Sequence, residues 1–370
     1  MIKTTPGGLP VRRPDTTPAT RSSQVGRAPH ETVQDLLDGL PHFAALHAFA
    51  VLGLADLLDQ PMDVQDLAEQ CDAHPDLLRR VLRDLTSVGI VRSDEPGCFT
   101  LTDAGATLRS DILGSMLPAV ITAARPAWLG AIPQLPNVLR RGRPILPDDH
   151  ASLYEYLRAH PDEQADFDEF MRARSYRIAR GIAAQNFEHV RTIVDVGGGV
   201  GTVAAEVLAT HPHCSAIVLD TPEVADRAQV NMEKEGLAQR CWVVGGDFFT
   251  SIPVATTGDT TVYLLANILH NWGNEDAVRI LTQVRTAMLA TMSATGGTTQ
   301  LWIADIVLSA GDGPHPGTAA DMRMMMMFPQ GGERTLGECV ALLDLAGFAM
   351  EWMKPLPLSG GLNLLVATLK

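Results

Sequence analysis

The sequence is short of cysteine, of basic residues and of long apolar runs. Five cysteines, Cys71, Cys98, Cys214, Cys241 and Cys339, are scattered singly through 370 residues. An odd, dispersed set argues against a disulfide framework and a zinc cluster, and suits buried or half-buried thiols in a reducing cytoplasm. Lys and Arg number 29 against 43 Asp and Glu, a net charge of −14. Such a surface repels phosphate backbones and anionic membranes, so nucleic acid and membrane are poor partners. No uninterrupted apolar run reaches the ~18 residues of a membrane span. The first residues lack the apolar core of a secretory signal, and no internal repeat is visible.

What is present is 46% hydrophobic residues, enough for a sizeable core, in a length that suggests two or three domains. Residues 1–30, rich in Pro, Thr, Arg, Gly and Ser, have too little apolar surface to repay ordering and are expected to be a disordered leader. From residue 31 apolar positions recur at helical spacing up to Gln60-Pro61. A short helix over Val64 to Cys71 follows, then a longer one over Pro75 to Val88 closed by Gly89. Ile90–Arg92 and Cys98–Leu101 around a turn at Asp94–Gly97 predict a hairpin.

Three helices and a hairpin make a winged helix over residues 31–107. Its charges oppose DNA binding: residues 31–105 carry fourteen acids, four Arg and no Lys, where a DNA reader needs a basic face. A domain that packs against a second subunit fits better. Residues 108–188 read as a helical connection able to cover a substrate pocket, with helices over Ser152–Leu157 and Phe167 to Ala183.

From residue 189 to the end, short β-rich runs alternate with helices, which predicts an α/β domain with a mostly parallel sheet. The runs are Thr192–Val196, Ala216–Leu219, Cys241–Val244, Thr261–Leu265 and Leu301–Val307; Phe348–Met353 and Leu362–Leu369, separated by Gly360-Gly361, suit an antiparallel edge.

The strongest motif is Asp195-Val196-Gly197-Gly198-Gly199-Val200-Gly201, a strand running through glycines into a helix. Gly197 and Gly199 would let backbone approach a ligand closely, though a glycine turn alone is weak evidence. Asp220 ends the next strand, where an acid can accept from both ribose hydroxyls; the following Thr221-Pro222 also suits a helix start. After the third strand, Asp247 beside Phe248 could hold and stack on an adenine. NAD calls for a longer glycine spacing and a site for pyrophosphate. Asp195 beside the loop would repel pyrophosphate and suits S-adenosylmethionine (SAM), which is cationic and has no phosphate.

After the fourth strand comes Leu269-His270-Asn271-Trp272. His270 falls at the carboxyl edge of the sheet, where an imidazole can take a hydroxyl proton. Asp305, ending the fifth strand, and Glu333, in Gly331-Gly332-Glu333-Arg334-Thr335, are acids able to orient that ring. Glu333 also lies just ahead of Thr335, a candidate N-cap. Met324 and Met327, within a run of four methionines, suit a flat substrate or simply a core helix.

In this order and spacing the motifs resemble the plant-type small-molecule O-methyltransferases, especially bacterial relatives that tailor aromatic polyketides and other natural products. The resemblance runs from about residue 31 to the end. It implies a Rossmann-like SAM methyltransferase domain with a seven-stranded sheet, a winged-helix dimerisation domain, and a homodimer acting on a small aromatic hydroxyl. It further implies SAM contacts from Gly197, Asp220, Asp247 and Phe248, Trp272 beside the adenine, and contacts from Met171 and Ser175. His270 corresponds to the base, Asp305 and Glu333 to its flanking acids, and no metal is implied. Asn271 stands where the family usually has Asp, which removes a charge beside the base and bears on the substrate. Relatives that keep SAM for hydroxylation, decarboxylation or pericyclic chemistry share these motifs, as do N- and C-methyltransferases.

Overall fold

The computed structural model describes residues 28–150, 152–256, 259–357, 359 and 361–370. Most of the expected leader and Gly360 lie outside the described residues. The N-terminal part opens with helix α1 (Pro29–Val51), started by a proline that has no amide hydrogen to lose. The helix stops earlier than its periodicity predicts. Gly53, at φ +64°, turns the chain into a separate helix, Leu54–Leu57. Helices α2 (Val64–Gln70) and α3 (Pro75–Ser87) follow, then the hairpin β1 (Val91–Glu95) and β2 (Cys98–Leu101). The first hairpin strand runs on through Asp94-Glu95. Met62-Asp63 adds a third strand beside β2, too short to show as a periodic run. Phe49, Leu54, Leu67, Leu82, Leu85 and Phe99 form the buried centre of this part. On α1, Val33, Leu36, Leu37 and Leu40 remain exposed, Leu36 at 77%.

In the middle segment, α4 (Leu153–Ala159) leads into α5 (Pro161–Ala183). The latter starts six residues before its expected first turn, again on a proline. Tyr156, Leu157 and Phe167 from these helices pack with Trp128 and Met327 in a separate apolar cluster.

The third part is the α/β sheet. Strands β3 (Thr192–Val196), β4 (Ser215–Asp220), β5 (Cys241–Gly245), β6 (Thr260–Ala266) and β7 (Thr298–Asp305) are parallel. Crossover helices α6 (Thr202–Thr210), α7 (Pro222–Lys234) and α8 (Asn274–Thr295) cover its faces. After α9 (Thr318–Met327) and α10 (Leu336–Leu345), β8 (Phe348–Pro355) and β9 (Asn363–Leu369) complete the sheet as the expected antiparallel edge. The order is β8-β9-β7-β6-β3-β4-β5. Every residue of β3 is buried, as a central strand between two apolar layers must be. Its neighbours are β6 and β4, so the order reverses there, and the carboxyl ends of β3 and β6 open the crevice in which such sheets bind ligands.

Candidate active site

At the end of β3 the chain turns on Gly197, Gly199 and Gly201, with φ of +71°, +61° and +80°. A side chain at Gly197 would meet Ile268 Cδ1 at 2.5 Å, and one at Gly198 would meet Asp195 Cγ at 2.7 Å. Asp220 organises the loop: its Oδ2 accepts from the Gly199 amide at 2.8 Å and its Oδ1 from the Thr221 amide at 2.8 Å. Asp195 lies below Gly198, fully buried, with Oδ2 unpartnered. Burial, and secondarily the charge of Asp220, raises its pKa to about 7. Two acids beside one loop, with no cation paired to either among the described residues, suit a ligand that carries positive charge and are poorly suited to a pyrophosphate.

That raised value has a measurable consequence. Between 3.8 and about 7 folded Asp195 keeps a proton that the unfolded chain has lost, so stability falls as pH rises across this window and levels off above it. Asp305, raised to about 7 chiefly by burial, adds to the same slope. Thermal melts of ligand-free protein should show the decline, and Asp195→Asn should flatten it. An unchanged slope in the variant would remove Asp195 as its source.

Beyond β5, Phe248, Phe249 and Trp272 meet edge to face or tilted, Phe249 and Trp272 with centroids 4.7 Å apart. Asp247 is partly committed elsewhere: its carboxylate accepts from the Phe249 amide at 2.9 Å and the Thr250 hydroxyl at 3.2 Å. It therefore shapes its own turn, and any hydrogen bond to an adenine would share an already occupied carboxylate.

His270 sits on a single tight turn, Leu269–Asn271, just after β6 and is 6% exposed. Its Nδ1 lies 3.2 Å from Glu333 Oε1. Asp305 is buried beside this pair but makes no hydrogen bond to the ring; its Oδ1 and Glu333 Oε2 are both unpartnered. The two acids that the sequence brackets around His270 thus differ. Glu333 fixes the ring, while Asp305 stands by as a desolvated, partly protonated neighbour lining the same small cavity.

Arg334, which sequence reasoning missed, holds this turn in place. It donates to Leu269 O at 2.8 Å, Trp272 O at 2.6 Å and Asn274 Oδ1 at 3.2 Å, gripping both ends of the His270 turn. The Gly332 amide donates to His270 O at 2.9 Å, and Asp321 Oδ1 accepts from the Glu333 amide at 2.9 Å. A side chain at Gly331 would press on Phe328, Met324 and His270 O, so the glycine at this position permits the approach. Arg334→Met should lower kcat roughly tenfold or more by releasing the turn, with cofactor affinity nearly intact. Kinetics and calorimetry on one preparation test this; loss of affinity with unchanged kcat contradicts it.

From α5, Met171 joins the middle apolar cluster, and Ser175 is half-buried. Met324 and Met327 are buried as core residues, whereas Met326 is only partly so. Asn271 turns its amide back to Asn267 O at 3.1 Å. Among the described residues no cluster of three or more His, Cys, Asp or Glu is placed to hold a metal.

Residues 137–349 match the O-methyltransferase domain family, and residues 34–111 its dimerisation domain. The chain belongs to this O-methyltransferase family. A phenazine O-methyltransferase of Lysobacter antibioticus is 31% identical over 94% of this chain and 99% of its own. A mitomycin biosynthesis 6-O-methyltransferase of Streptomyces lavendulae is 31% identical over 93% and 96%. Among solved structures, a methyltransferase of calicheamicin biosynthesis in its S-adenosylhomocysteine-bound form is 30% identical, with a TM-score of 0.78 over 93% of this chain and 100% of that one. In this O-methyltransferase the dimerisation domain is the winged helix, whose α1 carries the exposed apolar residues Val33, Leu36, Leu37 and Leu40. Among the described residues no helix is long and apolar enough to cross a membrane.

Proposed function

We propose that the protein transfers a methyl group from SAM to the hydroxyl of a small aromatic natural product, with His270 as general base. The observation that carries this reading is the His270–Glu333 pair at the carboxyl edge of the sheet, within the domain that also bears the Asp195–Gly201 loop. The bound cofactor supplies an electrophilic methyl carbon on a positively charged sulfur. Glu333 accepts from Nδ1–H, which leaves Nε2 free of the proton and able to take one from the acceptor hydroxyl as its oxygen attacks. Glu333 then stabilises the imidazolium. Asp220 supplies negative charge beside the cofactor, Asp195 lies buried beneath the loop, and Gly197 and Gly199 admit the cofactor to the backbone.

Relatives named for phenazine methylation and mitomycin biosynthesis support a ring-bearing acceptor. So does the cluster that brings Trp128, Phe170, Met171, Met326 and Phe328 together. Five unpaired thiols suit a cytoplasmic enzyme. Incubating the enzyme with SAM and a panel of hydroxylated polycyclic aromatics, with S-adenosylhomocysteine as the readout, tests the reading. Release of S-adenosylhomocysteine only when a hydroxylated compound is present supports it. Equal release with amine-only analogues points instead to nitrogen methylation.

The working unit in this reading is a homodimer joined through α1. Leu36→Lys with Leu40→Lys should convert the dimer to monomer in analytical ultracentrifugation, because two exposed apolar residues per subunit that such an interface would cover become charges. A dimer that persists would place the interface elsewhere.

A further inference from the structure

Asp305, Glu333 and Cys339 line the small cavity beside His270, together with the apolar side chains of Leu281, Ile303 and Leu365. The centre of a water molecule can range over about 20 Å³ there, which is room for one water. Both acids are more than nine-tenths buried, at 6% and 8% exposure. One oxygen of each, Asp305 Oδ1 and Glu333 Oε2, has no hydrogen-bond partner, a costly state for an acid removed from solvent.

Nearby donors face other acceptors. His270 Nδ1 serves Glu333 Oε1, the Gly332 amide serves His270 O, and the Glu333 amide serves Asp321. All three guanidinium nitrogens of Arg334 reach acceptors on Leu269, Trp272 and Asn274. Arg174, on α5, donates through Nη2 to Asn267 Oδ1 at 3.1 Å. The Cys339 thiol is pushed up to about 12 by burial and then by the charge of Asp305. It keeps its proton but is a weak donor. A donor small enough for the cavity and able to serve two acids at once is water.

We propose that the cavity is a binding site for one internal water that bridges Asp305 Oδ1 and Glu333 Oε2, and that Asp305 acts through this water as a positioning residue for the His270–Glu333 pair. The inference rests on the reading of His270 as general base. One water serves either state of Asp305. It donates to both carboxylates when Asp305 is ionised; when Asp305 is protonated it accepts from that acid and donates to Glu333. Only hydrogen bonds change, and the proton stays on Asp305. Glu333 therefore keeps its charge toward Nδ1–H, the condition for stabilising the imidazolium.

Crystallography and kinetics test this together. A wild-type structure that resolves ordered water should show a single peak within hydrogen-bond distance of both oxygens. Cys339→Leu fills the cavity and should expel the water; Cys339→Ala leaves room and should keep it. Without the water both acids lose solvation and hold a proton to higher pH. In Cys339→Leu the acid limb of kcat should then move up by about one pH unit, roughly a tenfold loss at a fixed pH on that limb. Cys339→Ala loses packing as well but should leave the limb in place, which separates the water from a merely structural effect. If Cys339→Leu does not fold, Cys339→Val, with a smaller side chain, takes its place. Density showing the two acids in direct contact, or no water between them, overturns the proposal. So does a limb that moves equally in the filled and the emptied variant, or in neither. Failure of the base reading shows separately, as near-normal transfer by His270→Ala, and leaves the wild-type density unaffected.

Discussion

Replacing His270 with alanine should lower kcat by roughly 100- to 10,000-fold, the range expected when a positioned proton acceptor is removed, while S-adenosylhomocysteine still binds. The size of the effect follows from geometry. The ring is nearly sealed, Nδ1 is engaged by Glu333, and among the described residues no second imidazole lines the cavity with Asp305 and Glu333. Asp305, neutral in part at neutral pH, is a poor substitute base. Glu333→Gln should fall between wild type and His270→Ala, because the ring keeps its place and loses the charge that stabilises its protonated form. Single-turnover rates with cofactor bound check both; near-normal transfer by His270→Ala would remove the histidine from the reaction.

The second large effect is expected at Asp220. Its carboxylate ties the Gly199 amide to the start of α7, and the ribose hydroxyls of a cofactor seated there would meet the same group. Asp220→Ala therefore removes charge-assisted hydrogen bonds and the support of the loop together. At about 1.5–3 kcal/mol for a hydrogen bond to a charged group, the cofactor Kd should rise at least tenfold to a hundredfold. Asp220→Asn keeps the acceptor oxygen and should lose less. Calorimetry on folded variants decides; unchanged affinity in Asp220→Ala would move the cofactor off this loop.

Both effects concern residues legible in the sequence itself. The glycine spacing, the acid at the end of the second strand and the histidine after the fourth are local patterns. In a parallel sheet every strand's carboxyl end lies on the same edge, so their placement together followed from the predicted topology. Strand assignments held for the same reason: β3, β4 and β6 are long apolar runs flanked by helix starts. Less legible were features set by contacts distant in sequence. Arg334 looked like part of a glycine-rich loop, because its three acceptors lie some sixty residues earlier. Arg174 read as one of several arginines on a helix, and its partner Asn267 is 93 positions away. The unequal roles of Asp305 and Glu333 likewise depend on which acid the fold turns toward the ring. Asp247 showed the reverse: its own turn takes up the carboxylate, a local use that the motif did not reveal.

The most direct test of the account follows the methyl group. SAM carrying a deuterated methyl is incubated with the enzyme and a set of hydroxylated aromatics, and products are read by mass spectrometry and NMR. The account predicts an acceptor bearing the labelled methyl on oxygen, formed with one S-adenosylhomocysteine per product and lost in His270→Ala. A hydroxylated or decarboxylated product with the label still on the cofactor would contradict it.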